Sequence, residues 1–176
     1  MAAEAAAAQP LPADLVLTLG EVDSRPVVQL LARYGLTVNI LGDGANLPGS
    51  YWGEPEAGLI GDQLYVRSDT PLHSLLHEAC HWIVMDPDKR PEVHTDASDS
   101  LAEEDATCFL QLLLAAQLPA FGLDRALLDM DRWGYSFRLG SARAWFEQDA
   151  EDARDWLLMH GLIDADGEPT CRIRLD

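Results

Sequence analysis

An α+β fold is predicted for this chain of 176 residues, with a small antiparallel or mixed sheet packed on helices. Three observations predict it. Short segments with β-branched content or period-two alternation gather before Thr70. Longer segments with helical apolar spacing dominate after it, their starts marked by capping residues and proline, their ends by glycine or proline. The hydrophobic fraction, 48%, is ordinary for a chain that buries one core.

Residues 1–12 are alanine-rich, without the basic start and long apolar stretch of a signal peptide, and read as a flexible tail. Residues 13–176 read as one domain. Leu15 to Leu19 suits a short strand or a helical turn. Asp23-Ser24-Arg25-Pro26 starts a helix with Val27, Leu30, Leu31 and Tyr34 on one face, and Gly35 stops it. Thr37 to Leu41 reads as a strand, and Gly42 to Pro48 as loop. Ser50 to Trp52 suits a further strand. Ala57 to Ile60 and Gln63 to Arg67 read as a hairpin, with Gly61-Asp62 suited to a two-residue type II′ turn. Leu64 and Val66 alternate with Tyr65 and Arg67, so Gln63 to Arg67 is expected at a sheet edge.

Ser68-Asp69-Thr70-Pro71 starts the next helix, from about Leu72 to Met85. Its apolar face carries Leu72, Leu75, Leu76, Ala79, Cys80 and Ile83, and Asp86-Pro87 ends it. Asp88 to Ser100 reads as a polar loop. A third helix runs from Leu101 to Leu118 before Pro119, and a short one from Leu123 to Met130. Ser141 to His160 reads as one long amphipathic helix with Trp145, Ala153, Trp156 and Leu157 inward, stopped by Gly161. Thr170 to Leu175 suits a terminal strand.

Thirty acidic residues against twelve basic ones give a formal net charge of −18. That surface repels phosphates, which disfavours direct nucleic-acid binding and favours a basic partner. No apolar run approaches the roughly 20 residues of a membrane span. Three cysteines, Cys80, Cys108 and Cys171, are too few and too odd for a disulfide framework. A cytoplasmic setting is the simpler expectation.

The chemistry concentrates in His77-Glu78-Ala79-Cys80-His81, an HExxH motif. Four residues apart on a helix, the two imidazoles stack on one face and can grip one ion. Neutral imidazole is a good zinc ligand, and Glu78 projects beside the ion, where it can move a proton from water to a leaving amine. The expected cofactor is zinc, and the expected activity a metalloprotease, a hydrolase acting on a peptide bond.

A metzincin would need glycine and histidine where this chain has Val84 and Pro87, so that class is excluded. A gluzincin takes a Glu from a downstream helix. Glu103, Glu104 and Asp105 are all available. Glu103 shares a face with Ala106, Leu110 and Leu113 and is the preferred ligand. Glu104 shares a more polar face with Thr107, Cys108 and Gln111 and is the next candidate. His73 lies one turn before His77 and suits a supporting role better than ligation. His94, with Asp96 or Asp99, offers an alternative ligand. Tyr135 and His160 are candidate oxyanion donors.

These residues resemble the ImmA/IrrE family of zinc-dependent peptidases. The likeness rests on Leu64-Tyr65-Val66-Arg67-Ser68-Asp69 followed by the His77-Glu78-Ala79-Cys80-His81 helix, and on Glu103, Ala106 and Phe109 downstream. Thr107 stands where the family carries Asn or Asp. Its hydroxyl can still support a ligand. The resemblance spans Ala57 to Pro119, about a third of the chain. It implies a zincin-like fold, His77, His81 and Glu103 as zinc ligands, and Glu78 as catalytic base. It also implies a specific protein substrate, such as a repressor in stress response or mobile-element control. The strand Gln63 to Arg67 is placed to take a peptide as an added strand, with Tyr51 and Trp52 as candidate cleft residues. The competing expectation is a non-catalytic zinc-containing interaction module.

Overall fold

The structure is a computed structural model and describes residues 15–50, 55–92 and 100–176. The expectations for residues 1–12, for Tyr51 and Trp52, and for His94, Asp96 and Asp99 lie outside the described residues.

The chain enters through a 3-10 turn, Leu19–Glu21, rather than a strand. Thr18 forms a single bridge with Pro71, and Leu17 N donates to the buried Asp129 carboxylate at 2.8 Å. Helix α1, Arg25–Ala32, has Pro26 in its first turn and buries Val27, Leu30 and Leu31. Asp23 accepts from Arg25 N at 3.0 Å. Gly35 ends that segment at φ +83°, a conformation that only glycine adopts cheaply.

The sheet has three strands: β1 Thr37–Ile40, β2 Gly58–Ile60 and β3 Gln63–Val66. The expected hairpin is present, with Ile60 opposite Gln63 across Gly61-Asp62. Gly61 has φ +56° and Asp62 does not share a positive φ, as a type II′ turn requires. The edge assignment needs correction. The order is β1-β3-β2, so β3 is central, parallel to β1 and antiparallel to β2. Alternation in Gln63 to Arg67 reports which face each side chain takes, and Leu64 and Val66 are indeed fully buried. It carries no information on whether both backbone edges are paired.

Behind β2 the chain passes very close. A Cβ on Gly58 would lie 1.8 Å from the Pro48 carbonyl and 2.7 Å from Ser50 N. Glycine is therefore required for the Pro48–Ser50 segment to lie against the sheet.

The helices α2 Leu72–Val84, α3 Leu101–Ala116 and α4 Leu123–Trp133 follow. Pro71 is the N-cap of α2, and Thr70 instead accepts from Arg67 N at 2.8 Å, closing the turn out of β3. Ser100 caps α3 through Glu103 N. The long helix expected from Ser141 to His160 is two helices, α5 Ala142–Gln148 and α6 Glu151–Met159. Asp149 leaves the helical region at φ −139°, ψ 7°, its carboxylate paired with Arg138, and Ala150 turns inward at 3% exposure. No glycine or proline marks that break. The expected terminal strand is also absent. Thr170 to Leu175 makes no ladder, and Arg174 N donates to Ile83 O at the end of α2 at 2.9 Å.

One apolar cluster joins α1, the sheet and helices α2 to α6. Among the described residues no helix is long and apolar enough to cross a membrane.

Replacing Gly58 with alanine forces a methyl group onto a backbone carbonyl. The expected cost is about 2 kcal/mol or more, read as a lower urea midpoint at unchanged slope.

Candidate metal centre

Helix α2 places His77 and His81 one turn apart, with ring centroids 4.4 Å from each other. Leu75, Leu76, Ala79, Cys80 and Ile83 are fully buried on this helix, which fixes its rotation about its own axis. The histidines consequently face α3. Their third neighbour is Glu104. His77 Nε2 lies 3.2 Å from Glu104 Oε1, and His81 Nε2 lies 3.4 Å from Oε2. These three residues could hold a metal ion, with one ligand atom from each lying within 4.8 Å of the others.

The structure groups Glu104, rather than the preferred Glu103, with the two histidines. Glu103 Oε1 instead accepts from Arg174 Nη1 at 2.9 Å. One residue is 100° of helix rotation, so adjacent glutamates cannot serve the same site. Apolar content suggested that the Glu103 face turns inward. Both faces are buried: Ala106 and Leu110 are as buried as Thr107 and Gln111, and the Glu103 side chain is less exposed than that of Glu104 (14% against 24%), so apolar content does not choose between the two. Thr107 donates to Glu103 O within its own helix at 2.8 Å.

The separations test whether zinc fits. Tetrahedral zinc with bonds of about 2.0–2.2 Å sets its ligand atoms about 3.3–3.5 Å apart. The two cross-helix distances, each to a different Glu104 oxygen, lie near that edge length, and two imidazoles with one carboxylate are a zinc-type donor set.

Sequence reading missed Gln111, which orients the site. Its Nε2 donates to His73 O at 3.0 Å, so its Oε1 must face His77 Nδ1, at 2.9 Å. His77 Nδ1 is thereby the donor, and Nε2 is turned to Glu104. The available signal was one amide inside the apolar run Phe109-Leu110-Gln111-Leu112. Glu78, half-buried, follows His77 on α2.

The electrostatics divide the two histidines. Burial opposes charge on His77, but Tyr135 and Glu104 outweigh it and hold its pKa well above the usual value. Burial, then the His77 charge, pushes His81 down to about 3. Without a metal, a proton on His77 thus supplies the positive charge beside Glu104. His73 is 1% exposed, and burial pushes its pKa down to about 3. Its Nδ1 lies 3.2 Å from the Tyr135 hydroxyl, which brings Tyr135 to within 5.7 Å of His77 between ring centroids. His160 is bound to Asp176 at 2.8 Å and stacks near Trp156. Cys80 and Cys108 are buried free thiols on the two helices of the site.

No protein-family model, curated protein or solved structure matches the chain.

Two outcomes follow from this arrangement. Glu104→Gln should weaken zinc binding by more than about 100-fold, beyond what losing an outer partner costs. Glu103→Gln should leave it within about tenfold, as a competition titration with a chromophoric chelator would read. His73 provides the second outcome. Its folded pKa is depressed, so between about 3 and 6.5 the unfolded chain binds the extra proton. Stability of the metal-free protein should therefore fall as pH drops through that window, by up to about 1.4 kcal/mol per pH unit from this group. His73→Gln should flatten the dependence in urea unfolding at pH 4 to 7.

Proposed function

We propose that the chain is a zinc-dependent peptidase of ImmA/IrrE type, with a zincin-like fold, acting on a specific protein partner in the cytoplasm. The observation that carries this reading is the placement of Glu104 at 3.2 and 3.4 Å from the two histidines that flank Glu78 in one helix. His77, His81 and Glu104 would hold the ion. Zinc there supplies a Lewis acid and a water of pKa near 7.

The chain's own residues do the remaining work. Gln111 fixes the His77 tautomer and keeps its Nε2 toward the metal position. Glu78 accepts the proton of the attacking water and delivers it to the leaving nitrogen, so the amine departs neutral. Tyr135, held near His77 by the contact of its hydroxyl with His73, is the candidate donor to the carbonyl oxygen. Because β3 is central, an added substrate strand belongs on another edge. Strand β2 is the candidate, since Ala57 N at its start donates to Ser74 Oγ on α2, one turn before His77.

Glu78→Gln should retain one zinc per chain and lose cleavage by at least about 100-fold, measured on a substrate trapped from cell extract. Full cleavage by that variant would remove Glu78 from the mechanism. A zinc-loaded wild type that cleaves nothing would favour the interaction-module reading.

A further inference from the structure

Glu56 has no role in the chemistry above, yet it sits beside it. It precedes Ala57, whose amide is tied to Ser74 on α2 at 3.0 Å. Trp133 Nε1 donates to Glu56 Oε1 at 2.8 Å, and the Trp133 ring lies 5.0 Å from the His73 ring. From His73 the ring contacts continue to Tyr135 at 5.4 Å and from Tyr135 to His77 at 5.7 Å. The carboxylate is therefore pinned on the same side of α2 as the metal centre.

Its surroundings leave it short of positive charge. Burial raises its pKa, and the Trp133 hydrogen bond and the His77 charge together offset only part of that. Among the described residues, no ion pair joins Glu56 to a lysine or arginine. Trp133 is a neutral donor and can satisfy one of two carboxylate oxygens. A half-buried carboxylate without a cation is costly, and a ligand that brings the cation relieves the cost. The net charge of −18 would draw such a ligand in.

We propose that Glu56 is a specificity residue that receives an arginine or lysine side chain of the substrate next to the scissile bond. The inference rests on the peptidase reading for its cleavage consequence, though not for binding. The guanidinium or ammonium group pairs with the Glu56 oxygen that Trp133 does not engage. The Trp133 indole, bonded to the other Glu56 oxygen, reports on the occupancy of the site.

The test has a binding arm and a cleavage arm. In the first, zinc-loaded full-length Glu78→Gln protein is titrated with Nα-acetyl-arginine amide or Nα-acetyl-norleucine amide. The 15N–1H resonance of the Trp133 indole is followed. The arginine amide should shift it saturably, the norleucine amide should not, and adding Glu56→Gln should abolish the shift. Gln retains an acceptor for Trp133, so the resonance itself should survive. No saturable shift, an equal shift with norleucine, or a shift unaffected by Glu56→Gln overturns the proposal. In the second arm, wild type is given paired peptides differing only in arginine or norleucine beside the cleaved bond. The arginine peptide should win by about tenfold or more in kcat/KM, equivalent to about 1.4 kcal/mol, and the ratio should collapse in Glu56→Gln. Cleavage without that preference defeats the role of Glu56 and leaves the peptidase standing. No cleavage with the indole shift intact defeats the peptidase and leaves the cation site standing.

Discussion

The atoms that could hold a metal ion come from two helices, so their separations of 3.2 and 3.4 Å exist only while α2 and α3 keep one distance and one rotation. Small buried residues permit the close approach. Cys80 on α2, and Thr107 and Cys108 on α3, flank the site on its own faces and are all at 1% exposure or less. A larger side chain at any of them would separate the helices by more than the tolerance of a metal site. Packing and chemistry meet at Cys108, whose buried free thiol lies on the Glu104 face of α3.

That close packing sets an electrostatic problem. Two imidazoles and a carboxylate are taken largely out of water, beside a third buried imidazole, His73. Burial keeps His73 and His81 neutral, and the one retained proton sits at His77, next to Glu104. The arrangement is stable with one positive charge between the helices and poorly balanced with none. A divalent ion and a proton are alternative ways of meeting the same demand. Gln111 ties the balance to the backbone, because its amide bridges His73 O and His77 Nδ1.

Much of this was legible in sequence, and the misses share a cause. The HExxH helix, the hairpin with its Gly61-Asp62 turn, and the position of α3 follow from local spacing and turn chemistry. Local patterns failed where a distant partner decides. Strand β3 is central because Thr37–Ile40 pairs with it from 26 residues upstream. The helix after Ser141 breaks where Arg138 draws Asp149 out of line, and the C-terminal segment lies along α2 without a ladder. The choice between Glu103 and Glu104 failed for a more specific reason. Apolar residues were taken to mark the inward face of α3. Both faces are buried, Ala106 and Leu110 on one and Thr107, Cys108 and Gln111 on the other, so hydrophobic patterning cannot tell which carboxylate meets the histidines.

Arg174 bonds Glu103 and the Val84 carbonyl through its guanidinium, stacks over Trp156, and bonds Ile83 O through its own amide. A helix end held by packing alone can roll a few degrees about its axis at little cost. Here two consecutive carboxylates of α3 are claimed by different partners on different sides, one by an arginine and one by imidazoles. Rolling α3 in either sense stretches one of the two attachments. The last residues of the chain therefore act as a torsional stop. They set the angular phase at which α3 presents Glu104, without touching the metal-binding group themselves.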